Sequence, residues 1–461
     1  MKRLMLTVLT ACALFYLAGV SAAAPAKPSK PDASPAISAP AATPAASPAT
    51  KHFDADEATQ AWLNTMSPEA RAKSDAYFEG GYWLILWDLV VGLVLAWLLL
   101  GTGLSRRLRD FNEKLVKLRF VQTALYVVEY LLFTTVVGLP WTIYEGYIRE
   151  HQYGMSNQDM SGFLGEQLTG LIIGLIFGVI VIPIVYAVIR KFTRTWWIWG
   201  AVVGIVFIVF SVAIGPTYLE PAFNKFYPLK DGPEKQQILS MARANGIPAT
   251  DVYEFDASKQ TKRMSAHVSG IGGTTQISLN DNLINRGSPE EVQAVLGHEM
   301  GHYVLNHVFH GIFEFSILIV IGFAFVKWAF DKVRTRWGAN WGIRDVGDVA
   351  GLPLLVALFT VYMFVLTPVN NTLTRMQEGE ADIFGLNTAR QPDGFAQAAI
   401  HLSEYRKMEP GKWEEIFFYD HPSGYHRIHR AMVWKAEHIN DCDIVAYDAA
   451  HPTIAMPPEP K

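Results

Sequence analysis

Cysteine is almost absent from this chain, with two in 461 residues, Cys12 and Cys442. Cys12 falls in an N-terminal stretch that reads as removable, so a single cysteine would remain and no internal disulfide could form. That leaves the redox state of the compartment unread. Charge is scarce too: charged residues make up 18% and the net charge is −4. No basic excess exists to neutralise a phosphate backbone, which excludes nucleic acid as a partner. What is abundant is apolar surface, at 50% of residues.

The apolar residues are clustered. Trp83–Leu104, Phe120–Leu139, Leu164–Ile189, Trp196–Ile214, Phe309–Trp328 and Val349–Val369 each approach the roughly 20 residues needed to cross a bilayer. The spacing predicts six spans and an integral, multi-pass protein with the lipid bilayer as a partner. Ahead of them, Lys2-Arg3 precede an apolar run from Leu4 to Val20, and Ser21-Ala22-Ala23-Ala24 offers a small-residue cleavage site. Residues 1–23 therefore read as a signal peptide, with an uncleaved first membrane helix as the alternative. Leu9-Thr10-Ala11-Cys12 also fits a lipoprotein cleavage pattern, which would leave an oddly apolar mature start. Residues 24–52, rich in Ala, Pro and Ser, read as a disordered tether.

Lysine and arginine crowd the odd loops. Arg106, Arg107, Arg109, Lys114, Lys117 and Arg119 follow the first span, Arg190, Lys191 and Arg194 the third, and Lys327, Lys332, Arg334, Arg336 and Arg344 the fifth. The second loop, Pro140–Phe163, holds only Arg149. The positive-inside rule places the odd loops in the cytoplasm and the even ones outside, in keeping with a leading signal peptide. Asp88, Glu129, Glu166 and Glu314 lie in or near spans. Charge at mid-bilayer costs about 2.5–3.5 kcal/mol, so these acids line an interior chamber or sit at helix ends near headgroups.

The most specific stretch is Gly297-His298-Glu299-Met300-Gly301-His302. Two histidines four apart lie one turn apart on one helical face and can grip one metal ion. Glu299 beside them can take a proton from a water held by that ion. The helix itself is predicted by Ser288-Pro289-Glu290-Glu291, a capping box with proline at the first helical position. Val292, Val295, Leu296 and Met300 then recur at helical spacing. The pattern points to a zinc-dependent peptidase acting on a peptide or membrane-protein substrate, with one Zn2+ per chain.

Two histidines leave the site one protein ligand short. In Arg375-Met376-Gln377-Glu378-Gly379-Glu380-Ala381-Asp382, Glu378 and Asp382 share a helical face. Taken alone, such an acidic helix reads as a solvated surface. Beside a zincin helix, Glu378 becomes the candidate third ligand and Asp382 the acceptor for the outer nitrogen of a ligand histidine. Glu380 points elsewhere. Tyr419-Asp420-His421-Pro422-Ser423, followed by Arg427, reads by itself as a turn, and His421 could donate to an oxyanion. His307, five residues past His302, lies off the ligand face and reads as packing or a surface contact.

Asp251–Ala257, Met264–Gly270 and Thr275–Leu279 read as short strands, the last two joined at Ile271-Gly272-Gly273-Thr274. A small sheet with an open edge could hold an extended peptide, with Ser265, Ala266 and His267 as the candidate edge. A purely structural hairpin is the plainer reading.

Together these pieces resemble the type I CAAX prenyl proteases, integral-membrane zinc metallopeptidases, from about Arg71 to Trp434. The resemblance rests on the His298–His302 motif, Arg375-x-x-Glu378-x-x-Ala381-Asp382, and Asp420-His421-Pro422-Ser423 with Arg427; Tyr144–Asn157 also resembles the family's loop between membrane helices. It implies a mainly α, polytopic helical bundle enclosing a chamber, with a zincin (gluzincin) catalytic domain carrying a small β-sheet. His298, His302 and Glu378 are then the zinc ligands, Glu299 the base, Asp382 their outer support and His421 the oxyanion partner. Arg427 joins Ser265, Ala266 and His267 as a substrate-side candidate.

Two departures stand out. Ser265-Ala266 replaces the family's usual Asn-Ala, and a signal-like segment replaces the first of seven usual helices. The second points to a bacterial inner membrane with a periplasmic catalytic face, where a prenylated substrate does not follow from the family name. The organisation expected is 53–215 as a membrane domain with four spans, 216–308 as catalytic domain, 309–369 as two further spans, and 370–461 as the rest of the catalytic domain. The competing readings are a quality-control protease for membrane proteins and a non-catalytic chaperone chamber with structural zinc. The latter is disfavoured because structural zinc sites carry four protein ligands. Oligomeric state and cleavage specificity are not readable.

Overall fold

The computed structural model describes residues 53–270 and 275–451. The expected signal peptide, the tether and the turn at 271–274 lie outside the described residues.

Helix α1 (Ala55–Leu63) is capped by Asp54, whose carboxylate accepts the amides of Asp56 and Glu57. Helix α2 (Pro68–Gly101) is the first span, ended by Gly103 at φ 70°, a conformation that glycine adopts without cost. The basic stretch after it is not a loop but an amphipathic helix, α3 (Leu104–Leu115). Helix α4 (Arg119–Ile143) contains Pro140 and widens one turn later into a π turn, Tyr144–Arg149. Helices α5 (Met160–Lys191) and α6 (Trp196–Ile214) complete the first four spans.

A four-stranded sheet follows, in the order β1-β2-β4-β3. Strand β1 (Phe226–Pro228) pairs antiparallel with β2 (Val252–Phe255), across helix α7 (Pro233–Ala244). Strand β3 (Ala266–Ser269) pairs antiparallel with β4 (Gln276–Asn280), and β2 runs parallel to β4. Three strands fall at the segments that read as strands in the sequence; β1, only three residues long, is not among those segments. Val252, Ile277, Leu279, Leu283, Leu296 and Met300 form the core between the sheet, helix α8 (Asp281–Arg286) and helix α9 (Pro289–Val304).

Helix α10 (His307–Trp341) is the fifth span, and helix α11 (Leu352–Ala389) carries the sixth. Three of the remaining helices pack with α1 around Phe395, Ile428, Met432 and Ile444: α12 (Pro392–Leu402), α14 (Gly424–Glu437) and α15 (Cys442–Ala450). Between them, α13 (Lys412–Phe418) is tied to the first span, where the Tyr82 hydroxyl donates to Glu414 at 2.7 Å. The buried Lys435 ammonium bonds Asp393 at 2.6 Å and Asp448 at 2.8 Å, which satisfies a charge that would otherwise be costly inside.

Among the described residues, six helices are long and apolar enough to cross a membrane. The protein is thus a mainly α, multi-pass membrane protein with a small sheet. Its two ends differ. At one, the loop after α4 is stapled to the sheet unit: Ser156 bridges Thr261, and Arg263 bonds Glu150 at 2.8 Å. At the other, α3, the end of α5 and the 342–350 loop meet through Ser105 to the Ala350 carbonyl at 2.7 Å and Arg190 to the Gly347 carbonyl at 2.9 Å.

Candidate metal centre

The metal-motif helix starts as its sequence dictates. The Ser288 hydroxyl accepts the Glu291 amide at 3.3 Å, and the Glu291 carboxylate accepts the Ser288 amide at 2.8 Å. Such a cap stabilises by about 1 kcal/mol. The buried side of α9 presents Gly297 and Gly301 to α11. A Cβ on Gly385 would stand 2.7 Å from the His298 amide nitrogen, and one on Gly301 would stand 3.1 Å from the Cα of Ala381. The small residues Gly297-x-x-x-Gly301 and Ala381-x-x-x-Gly385 therefore let the two backbones touch. That contact sets Glu378 against the histidines.

His298 Nε2 lies 3.1 Å from His302 Nε2 and 3.2 Å from Glu378 Oε2, and His302 Nε2 is 3.4 Å from Glu378 Oε1. Donor atoms held tetrahedrally on zinc at roughly 2.0–2.1 Å lie about 3.3 Å apart. The observed separations match that figure. Glu378 Oε2 is buried and among the described residues meets only imidazole nitrogens, His298 Nε2 at 3.2 Å and His421 Nε2 at 3.3 Å, a setting that a cation would satisfy. His298, His302 and Glu378 are also the donor set that among the described residues can hold a metal ion. With three protein donors and no fourth in that set, the arrangement is that of a catalytic rather than a structural zinc site.

The outer nitrogens of both histidines are occupied. His298 Nδ1 faces Asp382 Oδ1 at 2.9 Å. Asp382 is fully buried and is held in turn by Arg427 Nη2 and Arg430 Nη1, each at 2.6 Å. Burial alone would depress the His298 pKa; the bonds to Asp382 and Glu378 outweigh it and raise it to about 9. The same negative surroundings that favour a proton there favour a metal cation. His302 Nδ1 meets His307 Nδ1 at 2.9 Å, and His307 Nε2 reaches Glu380 at 3.2 Å.

Glu299 follows His298 on the rim, half-buried. Burial pushes its carboxyl pKa up, against the pull of His298 and His302, with Glu378 adding to the rise. His421 Nε2 lies 3.3 Å from Glu378 Oε2, and its Nδ1 is 2.8 Å from Asp420. The structure thus gathers His298, His302, Glu378, Asp382 and His421 around one point.

The substrate-side expectations fare differently. Arg427 is not free for a substrate: its guanidinium is buried and turned onto Asp382. The Ala266 side chain is packed in the core beneath the sheet, leaving its backbone alone at the edge. The Ser265 carbonyl accepts the Asn280 amide at 2.9 Å, and its amide donates to Asn280 Oδ1. His267 faces Glu220 at 3.3 Å. Strand β3 is the terminal strand of the sheet and packs directly on the motif helix. Sequence reasoning missed the roles of His307, Glu380 and Arg430. The signal for the helix contact was present in the two small-x-x-x-small pairs.

A family model described as Peptidase family M48 matches residues 228–435, and one described as the CAAX prenyl protease N-terminal domain, with five membrane helices, matches 51–225. An uncharacterized metalloprotease of Bacillus subtilis is 29% identical over 79% of this chain and 86% of its own length. A CAAX prenyl protease 1 homolog of Dictyostelium discoideum is 26% identical over 67% of this chain and 70% of its own. The crystal structure of S. mikatae Ste24p superposes with a TM-score of 0.67 at 20% identity, covering 82% of this chain and 95% of that one, which shows a shared fold. Two matched halves meet where the membrane bundle meets the sheet, and the His298, His302 and Glu378 cluster sits in the second: the chain belongs to Peptidase family M48, as a membrane-embedded zinc metalloendopeptidase of the CAAX prenyl protease-like kind.

Proposed function

We propose that this protein hydrolyses peptide bonds of polypeptide or membrane-protein substrates at a single zinc site per chain. His298, His302 and Glu378 hold the ion. The observation that carries this reading is the buried Glu378 carboxylate placed where two histidine nitrogens converge. Zinc bound there supplies a Lewis acid and lowers the pKa of water to about 7. Glu299 takes the proton of the attacking water as its oxygen bonds to the carbonyl carbon. It then delivers that proton to the leaving amine as the C–N bond breaks. Its raised pKa supports that role, since a base nearer neutrality both accepts and returns a proton. His421 donates to the developing oxyanion, supported by its place 3.3 Å from Glu378 and the Asp420 carboxylate that orients its ring. Asp382 fixes the His298 ring. The Ala266 backbone, between Ser265 and His267 on the open edge of β3, receives an extended substrate as an added strand, supported by the terminal place of β3 beside the motif helix.

Glu299→Gln removes the proton acceptor while preserving shape. In detergent, with a quenched peptide library, it is expected to lose roughly 10²–10⁴-fold in turnover while keeping its zinc. Chelation is expected to abolish wild-type cleavage. A variant with near-normal turnover would falsify the assignment.

The same reading places the metal centre on the periplasmic side of a bacterial inner membrane, facing a chamber between the spans. The excess of arginine and lysine at the opposite end supports the orientation. Cys442, exposed on α15, tests it. A membrane-impermeant maleimide should label it in intact cells with a permeabilised outer membrane, and Cys442→Ser should remove the label. Labelling only after lysis of the inner membrane reverses the orientation.

A further inference from the structure

At the end of the bundle away from the metal lies a cavity of about 470 Å³ lined by Arg109, Arg119, Arg190, Arg334 and Arg344. Two of the five arginines are held in ion pairs, and Arg190 is anchored on the Gly347 carbonyl at 2.9 Å and the Thr123 hydroxyl at 3.1 Å. Arg109 pairs with Asp348, and Arg344 with Glu113 at 2.6 Å. Arg119, Arg190 and Arg334 have no carboxylate within ion-pair distance among the described residues. Arg334 Nε is buried and has no hydrogen-bond partner at all. Of the other acids on the wall, Asp331 pairs with Lys327 at 3.6 Å, which leaves Asp345 against three guanidiniums. A buried donor without an acceptor costs stability, and clustered guanidiniums repel one another. An anion with several oxygen acceptors removes both costs.

The cavity is placed at headgroup depth. Arg119 opens α4, Arg190 closes α5, and Arg334 lies six residues past Trp328 near the end of α10, so three spans end at its wall. A second hollow sharing Asp331 is lined by Trp197, Trp328, Lys327 and Lys332, the tryptophan-and-lysine lining typical of a membrane interface. Phe111, Leu118 and Phe120, chain neighbours of the lining residues Asn112 and Arg119, are exposed together with Leu115 around α3 and the start of α4. These apolar side chains offer contact to acyl chains.

We infer that this cavity binds the phosphodiester of an anionic phospholipid, with Arg119, Arg190 and Arg334 on the phosphate and the apolar rim on the acyl chains. The shared chemistry is a phosphate group; the exposed apolar rim assigns it to a lipid rather than to a soluble anion.

The test is native mass spectrometry of the full chain in detergent, titrated with phosphatidylglycerol and with phosphatidylcholine of the same acyl chains. Arg119 is the variant of choice, because it is exposed at the rim and anchors no backbone group. Wild type should retain phosphatidylglycerol preferentially, and Arg119→Gln should weaken that retention about fivefold, the worth of one basic residue at a charged membrane surface. Lys114→Gln, exposed on α3 but outside the cavity, should leave it unchanged. Peptidase activity equal to wild type in both variants certifies the fold. Displacement of the lipid by millimolar inorganic phosphate would reassign the site to a free anion and overturn the lipid. Equal losses in both variants, or no preference between the two lipids, would overturn the site.

Discussion

The two histidines of the motif stand one turn apart on one helix, and the molecule holds them by opposite means. Inward, His298 leans on a carboxylate with no exposure to solvent, itself clamped between two arginines. Outward, His302 leans on a second imidazole, which leans on Glu380, a carboxylate 61% exposed. The inner chain is made of full charges in a dry setting. The outer one is a relay of two imidazoles ending on an exposed carboxylate. The first is built to fix position. The second tolerates change, because an exposed ion pair contributes only about 0–1 kcal/mol.

The comparison is broken most severely on the inner side. Asp382→Ala removes the acceptor of the His298 ring and strands Arg427 beside it. Loss of an outer partner typically costs 10–100-fold in metal affinity. Breaking a buried pair by removing one partner costs about 3–5 kcal/mol. Chelator-competition titration should therefore show zinc affinity down by roughly 10–100-fold, and thermal unfolding should show a clear fall in stability. Wild-type affinity and unfolding temperature in that variant would remove Asp382 from the site. Because Arg427 serves Asp382, Arg427→Ala is expected to follow the same pattern rather than to alter substrate preference.

Much of this arrangement was legible in the sequence, and the exceptions share a cause. Apolar runs and the capped zincin helix are local patterns, so the six spans and His298, Glu299 and His302 could be read directly. Glu378 and Asp382 could be read because i and i+4 fall on one face. The end of the sixth span could not. The apolar run stops at Val369, yet the helix continues to Ala389, its polar residues held by distant partners such as the Phe417 carbonyl on Asn371. Arg427 was read as a substrate contact because nothing local ties it to Asp382, 45 residues away. Its partner is a product of packing between α11 and α14.

His307 shows how a sound local rule fails. Five residues past His302, it falls off the ligand face of any continuous helix. The helix is not continuous. It ends at Val304, and Asn306 takes a left-handed turn at φ 59° before α10 begins at His307. That single residue swings the imidazole back onto His302. Asparagine is among the few residues that adopt this conformation readily, so Leu305-Asn306 was the available signal.

The outer relay gives the smaller and sharper prediction. His307 is buried, so its replacement must keep volume. His307→Phe fills the space but offers no nitrogen to His302 Nδ1. Zinc affinity should fall by about tenfold, the low end of the range for such partners, while the unfolding temperature stays near wild type because no buried charge is stranded. His307→Gln, which can still hydrogen-bond the ring, should recover most of the lost affinity. A purely structural role would reverse the pattern, with Tm falling and zinc affinity holding. Full affinity in His307→Phe would show that His302 needs no outer partner and that only the inner side of the centre is positioned.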